Sequence, residues 1–277
     1  MVEQSVEAFA NMAVKKRDFA KKSPLRYFLL SMMAGVYVGF GIILIFTIGA
    51  PLSEHGSAFV RVVMGVSFGV ALTLVIFAGS ELFTGNNMIL TIGSLSRKVK
   101  WAESVRLWTF CLLGNLAGSL LLAWVFVESG LGRNESTAQF IALTSQAKSA
   151  VPFTELFLRG ILCNMLVCLA VWTSGRTSND GAKVFLIFWC LFAFIGAGFE
   201  HSIANMTLIG VTLFLPDIAL GEALAGFAAN LIPVTLGNFV GGAVFIGAAY
   251  WYIASVPSVK TAVTSEKRLA NESIAKE

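Results

Sequence analysis

Residues 194–213 read FIGAGFEHSIANMTLIGVTL, an apolar run that holds two ionisable side chains, Glu200 and His201, at its middle. Ionisable groups inside a membrane-spanning segment are energetically expensive, and they usually mark a functional site. Gly196 and Gly198 precede the pair, and glycine interrupts a helix readily. The stretch therefore predicts a broken membrane helix with polar groups at the break, an arrangement typical of transport proteins.

The composition indicates an integral membrane protein made of helices. Of the 277 residues 56% are hydrophobic and only 13% are charged, whereas a soluble domain carries roughly 25% charged residues. The length allows about six spans of ~20 residues each. The four cysteines lie inside apolar runs, and no group of residues suggests a metal site, a cofactor or a catalytic centre.

The spans predict a single membrane domain with two similar halves. A second break is expected in span two, at GSELFTGNN from residue 79 onward, because that stretch is too polar for a lipid-facing helix. The connection after span three is expected to be a polar loop of about 25 residues. The expected parts are an amphipathic N-terminal helix on the membrane surface at 1–27, a first repeat at 28–127, a second repeat at 152–253 and a disordered tail at 254–277.

The basic residues predict the orientation in the membrane. Sixteen of the 20 lysines and arginines lie in the N-terminal segment, the connections near residues 97 and 176, and the C-terminal tail. Cytoplasmic segments are enriched in these residues, so both termini are expected in the cytoplasm, as an even number of spans requires. Because the basic residues are spread over these connections, we expect no nucleic-acid partner.

An internal repeat links the two halves. LGNLAGSLLLAW in span three resembles LGNFVGGAVFIGAAYW in span six, and GSELFTGNNM in span two resembles GFEHSIANM in span five. Both pairs are offset by about 120 residues, which favours a duplication over coincidental glycine and asparagine packing. Because each half holds three spans, the second copy would be inverted in the membrane, as in many transporters and channels.

Residues at the two breaks are candidates for a pathway. The N-termini of two half-helices would direct their positive dipole ends at it, which favours an anion. His201, Thr84, Asn164 and Asn238 are candidate polar groups, although each has a purely structural alternative: His201 would hold the broken backbone, and the asparagines would join helices. Glu81 and Glu200 are expected to cap the half-helices. Lys148 is either a solvated loop charge or an anion-attracting residue at the entrance.

Four motifs in order, GSELFTG, CNMLVCLAVW, GFEHSIANM and NLIPVTLGN, resemble the formate/nitrite transporter family, and the first is closer to its nitrite-channel branch. The resemblance implies an aquaporin-like fold of six spans and a homopentamer with one pore per protomer. It also implies a central histidine at His201 with Asn164 and Asn238 as polar neighbours, Lys148 at the outer vestibule, and apolar constrictions. Leu82 and Thr84, with Leu72, would form a cytoplasmic slit, and Phe68 and Phe194, with Val167 nearby, would form a periplasmic constriction.

The expected function is a channel or transporter for small monovalent anions in a bacterial cytoplasmic (inner) membrane, with nitrite as the first candidate. Proton donation by His201 would make transport proton-coupled, whereas a permanently neutral His201 would leave a passive channel. Formate and hydrosulfide are alternative substrates, because an apolar slit discriminates poorly between small monovalent anions. An aquaporin-like channel for neutral solutes is the alternative from another class, and an enzyme is not expected.

Overall fold

The computed structural model describes residues 2–255 as an all-helical protein, with no strand in that part of the chain. Ten helices follow one another, and a short 3-10 turn, Leu131–Arg133, connects the fifth to the sixth. They are α1 (Val2–Lys22), α2 (Pro24–Glu54), α3 (Val60–Gly79), α4 (Phe83–Leu95), α5 (Trp101–Glu128), α6 (Glu135–Ser149), α7 (Phe153–Ser174), α8 (Asp180–Ala197), α9 (Ser202–Thr212) and α10 (Leu220–Ser255).

Six of these helices, α2, α3, α5, α7, α8 and α10, are long and apolar enough to cross a membrane. The two short helices α4 and α9 follow α3 and α8 after breaks of a few residues, so the chain is interrupted where the sequence predicts it. Both preceding helices end at a glycine with left-handed backbone, Gly79 and Gly198, each with φ of +76°. Glycine adopts this conformation without strain and ends helices in this way.

Glycines allow the spanning helices to approach closely. A Cβ atom on Gly118 of α5 would lie 2.0 Å from the carbonyl oxygen of Met32 on α2, and one on Gly237 of α10 would lie 2.1 Å from that of Phe157 on α7. Lipid supplies little hydrophobic force between membrane helices, so close packing at small residues contributes much of their association. The pairs α2–α5 and α7–α10 thus form two tightly packed units.

The expectation of a loop between spans three and four is wrong. Residues Glu135–Ser149 form α6, which packs on α2, α9 and α10. The Asn134 side chain accepts a hydrogen bond from the backbone N–H of Thr137 and so caps the helix. The segment is rich in serine, threonine and glutamine, and its apolar periodicity is weak. Its helix therefore depends on this cap and on packing, which hydropathy does not reveal.

The N-terminal segment forms the helix α1, which packs on the protein. Phe9 stacks on Trp172 of α7 with ring centroids 5.1 Å apart, and Ala10 and Ala13 are fully buried. Arg17 donates a hydrogen bond to the carbonyl oxygen of Lys98, in the connection after α4. The helix is therefore held by the membrane domain itself. Most of the predicted tail, 256–277, lies outside the described residues.

Candidate functional site

The two half-helices meet at Thr84 and His201. Thr84 is in the first turn of α4, and His201 immediately precedes α9. The Oγ1 atom of Thr84 lies 3.0 Å from Nε2 of His201, and both side chains are buried. The other ring nitrogen, Nδ1, accepts a hydrogen bond from the backbone N–H of Ala204 at 3.1 Å. Since an acceptor nitrogen carries no proton, the neutral ring holds its proton on Nε2, facing Thr84.

Asn115 of α5 holds the break before α4. Its Oδ1 atom accepts the backbone N–H of Phe83 at 2.9 Å, and its Nδ2 atom donates to the carbonyl oxygens of Ser31 at 2.7 Å and Glu81 at 2.9 Å. The break leaves the N–H of Phe83 and the carbonyl of Glu81 without helical partners, and an unpaired backbone group inside a membrane protein costs several kcal/mol. The Asn115 side chain satisfies both groups and, through Ser31, joins α2 to the break and α4.

Asn238 of α10 makes the corresponding bonds at the break before α9. Its Oδ1 atom accepts the backbone N–H of Ser202 at 2.8 Å, and its Nδ2 atom donates to the carbonyl oxygens of Gly160 at 2.8 Å and Glu200 at 2.9 Å. Each of these three bonds has a counterpart at Asn115: one N–H at the start of the half-helix, one carbonyl at the break and one carbonyl in the first spanning helix of the same half.

Asn164 and Asn238 lie behind the pathway residues. The Nδ2 atom of Asn164 donates to the carbonyl oxygens of Thr84 at 3.1 Å and Asn238 at 2.6 Å. Both asparagines are fully buried, and neither lines the central space described below. In this structure their polar atoms position the half-helices, and contact with a substrate stays a prediction.

Glu81 sits at the break before α4 but does not cap that helix. Its carboxylate accepts from the ammonium of Lys16 at 2.7 Å and from the side-chain amide of Asn86 at 2.9 Å. Within residues 2–255 it bonds to no backbone N–H, so the expectation of a capping role is wrong; Asn115 caps α4 instead. The pairing with Lys16 compensates a carboxylate that is 8% exposed.

Glu200 repeats this pattern at the other break. Its carboxylate accepts from Lys148 of α6 at 2.7 Å and from the side-chain amide of Asn205 at 2.6 Å, and Asn205 also donates to Asn230 of α10. The expectation that Glu200 caps α9 is also wrong, because Asn238 and His201 accept the hydrogen bonds from the free N–H groups at the start of that helix. Lys148 therefore forms an ion pair, and the alternative in which it is only a solvated charge in a loop is excluded.

The predicted constriction residues surround a narrow central space of about 10 Å³ between the half-helices. The rings of Phe68 and Phe194 meet edge to face with centroids 5.5 Å apart. A volume of this size holds about one water molecule, and its wall is apolar apart from His201. The lining residues are Val38, Phe68, Ala71, Leu72, Leu82, Val167, Leu191, Phe194 and His201.

Two larger cavities adjoin the central space, one on each side. The α6-side cavity, about 590 Å³, includes Phe194, His201 and Lys148 in its wall. The α1-side cavity, about 320 Å³, shares Leu72 and Leu82 with the central space. The three spaces therefore lie in series through the protein, and the narrowest part is in the middle.

Several residues of this site are absent from the sequence-based prediction. Lys16 pairs with Glu81 from α1, and Val38, Ala71 and Leu191 complete the apolar wall. Nothing in the sequence marks these three apolar residues among many others. The LGN repeat did offer a signal for Asn115, since it stands where Asn238 stands in the other half.

Comparison with known proteins identifies the family of this chain. The model of the formate/nitrite transporter family matches residues 3–252. The chain belongs to this family. The nitrite transporter NirC of Escherichia coli strain K12 is 44% identical over 257 residues, which cover 91% of this chain and 92% of that protein.

Solved structures of formate/nitrite transporters are similar as well. An FNT family ion channel is 41% identical, with a TM-score of 0.84 and coverage of 92% of this chain and 99% of that one. A pentameric formate channel with formate bound is 32% identical, with a TM-score of 0.72 and coverage of 84% and 98%. Both likenesses extend over nearly the whole membrane region, so the family fold is that of a multi-pass membrane protein.

Proposed function

We propose that this protein is a pore for small monovalent anions and that nitrite is its substrate. The observation that carries the proposal is the series of three spaces, in which His201 is the polar residue in the wall of a narrow apolar slit and Thr84 contacts its Nε2 atom at 3.0 Å. The similarity to a nitrite transporter at 44% identity supports nitrite. Formate is the competing substrate, because a relative with formate bound is 32% identical.

In this proposal the anion loses water at the apolar slit and meets polar donors between the half-helices. The Nε2–H of His201 donates to the hydroxyl of Thr84, and in this proposal each of these two groups turns from its partner to an anion in the slit. The N-termini of α4 and α9 add positive dipole ends near that point. An ion that is small and weakly hydrated gives up its water most cheaply, which favours nitrite and formate over larger or more strongly hydrated anions.

The state of His201 decides whether protons move with the anion. Its Nδ1 atom accepts the Ala204 N–H, so a second proton on the ring would break this cap. We therefore favour hydrogen-bond donation from the neutral ring, and proton-coupled transport is the alternative. Replacing His201 with Asn tests the alternative in vesicles that contain a pH indicator: loss of coupled proton movement supports a relay, and unchanged coupling refutes it.

The matched hydrogen bonds of Asn115 and Asn238 support an inverted repeat. Each joins a break to the first helix of its own half and caps the following half-helix. Each glutamate beside them pairs with one lysine and one asparagine. We propose that the halves, 28–127 and 152–253, descend from one three-span unit and form an aquaporin-like protomer, with residues 1–27 as an added surface helix.

We further propose a homopentamer in a bacterial cytoplasmic membrane, with both termini in the cytoplasm. The pentameric relative supports the assembly, and the bacterial transporter supports the location. The concentration of basic residues on the α1 side supports the orientation. The α6-side cavity then opens outward. The relatives are transporters and channels, and we propose no catalytic activity.

The test is transport by the purified protein in liposomes. We expect nitrite flux to exceed formate and hydrosulfide flux at equal concentrations, and each to exceed that of protein-free vesicles. Osmotic swelling in water or ammonium solutions tests the neutral-solute alternative. Swelling without any anion flux would contradict the proposal.

A further inference from the structure

The α6-side cavity has four charged residues in its wall. They are Arg61, Lys148, Arg159 and Glu200. A cavity that collects anions needs positive charge that is not already neutralised, because a paired cation exerts little field on a third ion at a distance. The pairing of these four residues therefore determines where an incoming anion is attracted.

Two of the three cations already have partners. Lys148 lies 2.7 Å from the carboxylate of Glu200, which is 3% exposed in its side chain. Arg159 lies 2.7 Å from Glu155, one helical turn earlier on α7. That second pair is open to solvent and is held only weakly, but it still places a carboxylate beside the guanidinium.

Arg61 is different. It is exposed in the first turn of α3, and it has no acidic or hydrogen-bonding partner within the described part of the chain. Phe68, seven residues later on the same helix, lies in the wall of the central space. At 1.5 Å per residue the two positions are about 10 Å apart along the axis, close to the Debye length at 0.1 M salt.

We propose that Arg61, and not Lys148, forms the anion-capture site of the α6-side cavity. This inference rests on the proposed anion transport. The guanidinium presents paired N–H donors in a plane, which matches the two oxygens of nitrite or formate. Hydrosulfide has no such pair of acceptors and would feel only the charge. The anion binds loosely at Arg61, then moves inward to the slit.

The experiment compares Arg61→Gln with wild type by nitrite uptake into proteoliposomes at several external nitrite concentrations. At an ionic strength of roughly 0.01 M we expect the half-saturating nitrite concentration to rise about two- to five-fold, with the maximal rate unchanged. Near 1 M salt the difference should disappear, because screening removes the field of Arg61. The same variant should raise the half-saturating concentration of hydrosulfide less than that of nitrite.

Two matched variants separate charge at this site from other effects. Arg133→Gln removes one cation on the same side of the protein, but Arg133 pairs with Glu128 and lies outside the cavity wall. It should behave as wild type. Arg61→Lys keeps the charge but not the paired N–H donors. At low salt its half-saturating concentration should return close to the wild-type value for hydrosulfide, and less close for nitrite.

The inference is overturned if Arg61→Gln equals wild type at low salt, if its defect persists at high salt, or if Arg133→Gln shows the same defect. It is also overturned if Arg61→Lys is as impaired as Arg61→Gln for hydrosulfide. Absence of nitrite flux in the wild-type protein would instead refute the proposed function. If the wild-type protein transports nitrite and Arg61→Gln has the same half-saturating concentration, only the capture site is refuted.

Discussion

The Oγ1 atom of Thr84 and the Nε2 atom of His201 lie 3.0 Å apart, although 117 positions separate them in the chain. Each side chain belongs to a different broken span, so this contact joins the two halves beside the narrow central space that His201 lines. Because the Ala204 N–H occupies Nδ1, the ring presents a donor at Nε2. The central polar pair is thus suited to accept an anion without a change in its own charge.

Replacing Thr84 with Val should lower nitrite flux roughly ten-fold or more, because the Nε2–H of His201 loses its partner and the anion loses a hydroxyl donor. The shape of the side chain is nearly kept. Flux into proteoliposomes measures the effect. Thr91→Val is the matched control: it lies on the same helix, is buried, and its hydroxyl has no partner within the described residues. Equal fluxes from both variants would show that the Thr84 hydroxyl does not contact the anion.

Replacing Asn238 with Ala should lower the Tm by roughly 5 °C or more, since the N–H of Ser202 and the carbonyl of Glu200 at the break lose their partner and the bond to Gly160 on α7 is lost. Thermal unfolding in detergent, followed by loss of the assembled species on gel filtration, measures the change. Asn87→Ala removes the same buried side chain from α4, but its amide has no partner in the described part of the protein. A loss as large for Asn87→Ala would mean that cavity formation, not capping, dominates.

Breaking the pair between Lys148 and Glu200 should destabilise the protein more than removing both charges. Lys148→Met leaves a buried carboxylate without its cation and should cost about 3 kcal/mol. The double variant Lys148→Met, Glu200→Gln should recover most of this loss, because the amide keeps a polar contact with Asn205 and carries no charge. A double variant that is less stable than Lys148→Met alone would argue that the ion pair itself stabilises the fold.

Widening the slit should reduce selectivity. Phe68→Ala removes one of the two rings that close the central space, so small neutral solutes such as urea should pass and swell the vesicles. Phe185→Ala, at an exposed position on α8 outside the slit, should leave swelling at the wild-type level. If Phe68→Ala vesicles stay as tight as wild type, the narrowest part of the path lies elsewhere.

Hydropathy was enough to predict the six spans and both breaks. The spans are mainly apolar, and in two of them a glycine is followed closely by a carboxylate, Glu81 after Gly79 and Glu200 after Gly198. Helix α6 was missed because its side chains are polar and its stability comes from neighbours. Elements that depend on a local sequence pattern can therefore be predicted, whereas a helix that depends on packing against distant residues cannot.

The roles of the residues at the site depend on contacts between parts of the chain that are distant in sequence. A glutamate next to a break is expected from the sequence to cap the helix that follows. Glu81 and Glu200 instead pair with lysines that are distant in the chain. The capping bonds come from Asn115 and Asn238 on other helices. The repeat indicated that these asparagines correspond, but only the fold shows which backbone groups they satisfy. The five predicted constriction residues all lie in the wall of the central space, but Val38, Ala71 and Leu191 of the same wall carry no signal in the sequence.

Blocking the slit tests directly whether nitrite passes through it. Leu72 lines both the central space and the α1-side cavity, so Leu72→Trp should fill a space of about 10 Å³. We predict saturable nitrite uptake by wild-type proteoliposomes, and uptake at the level of protein-free vesicles for Leu72→Trp protein that elutes and unfolds as wild type does. Wild-type uptake by such a Leu72→Trp protein would contradict the account, because the anion would then pass outside the slit.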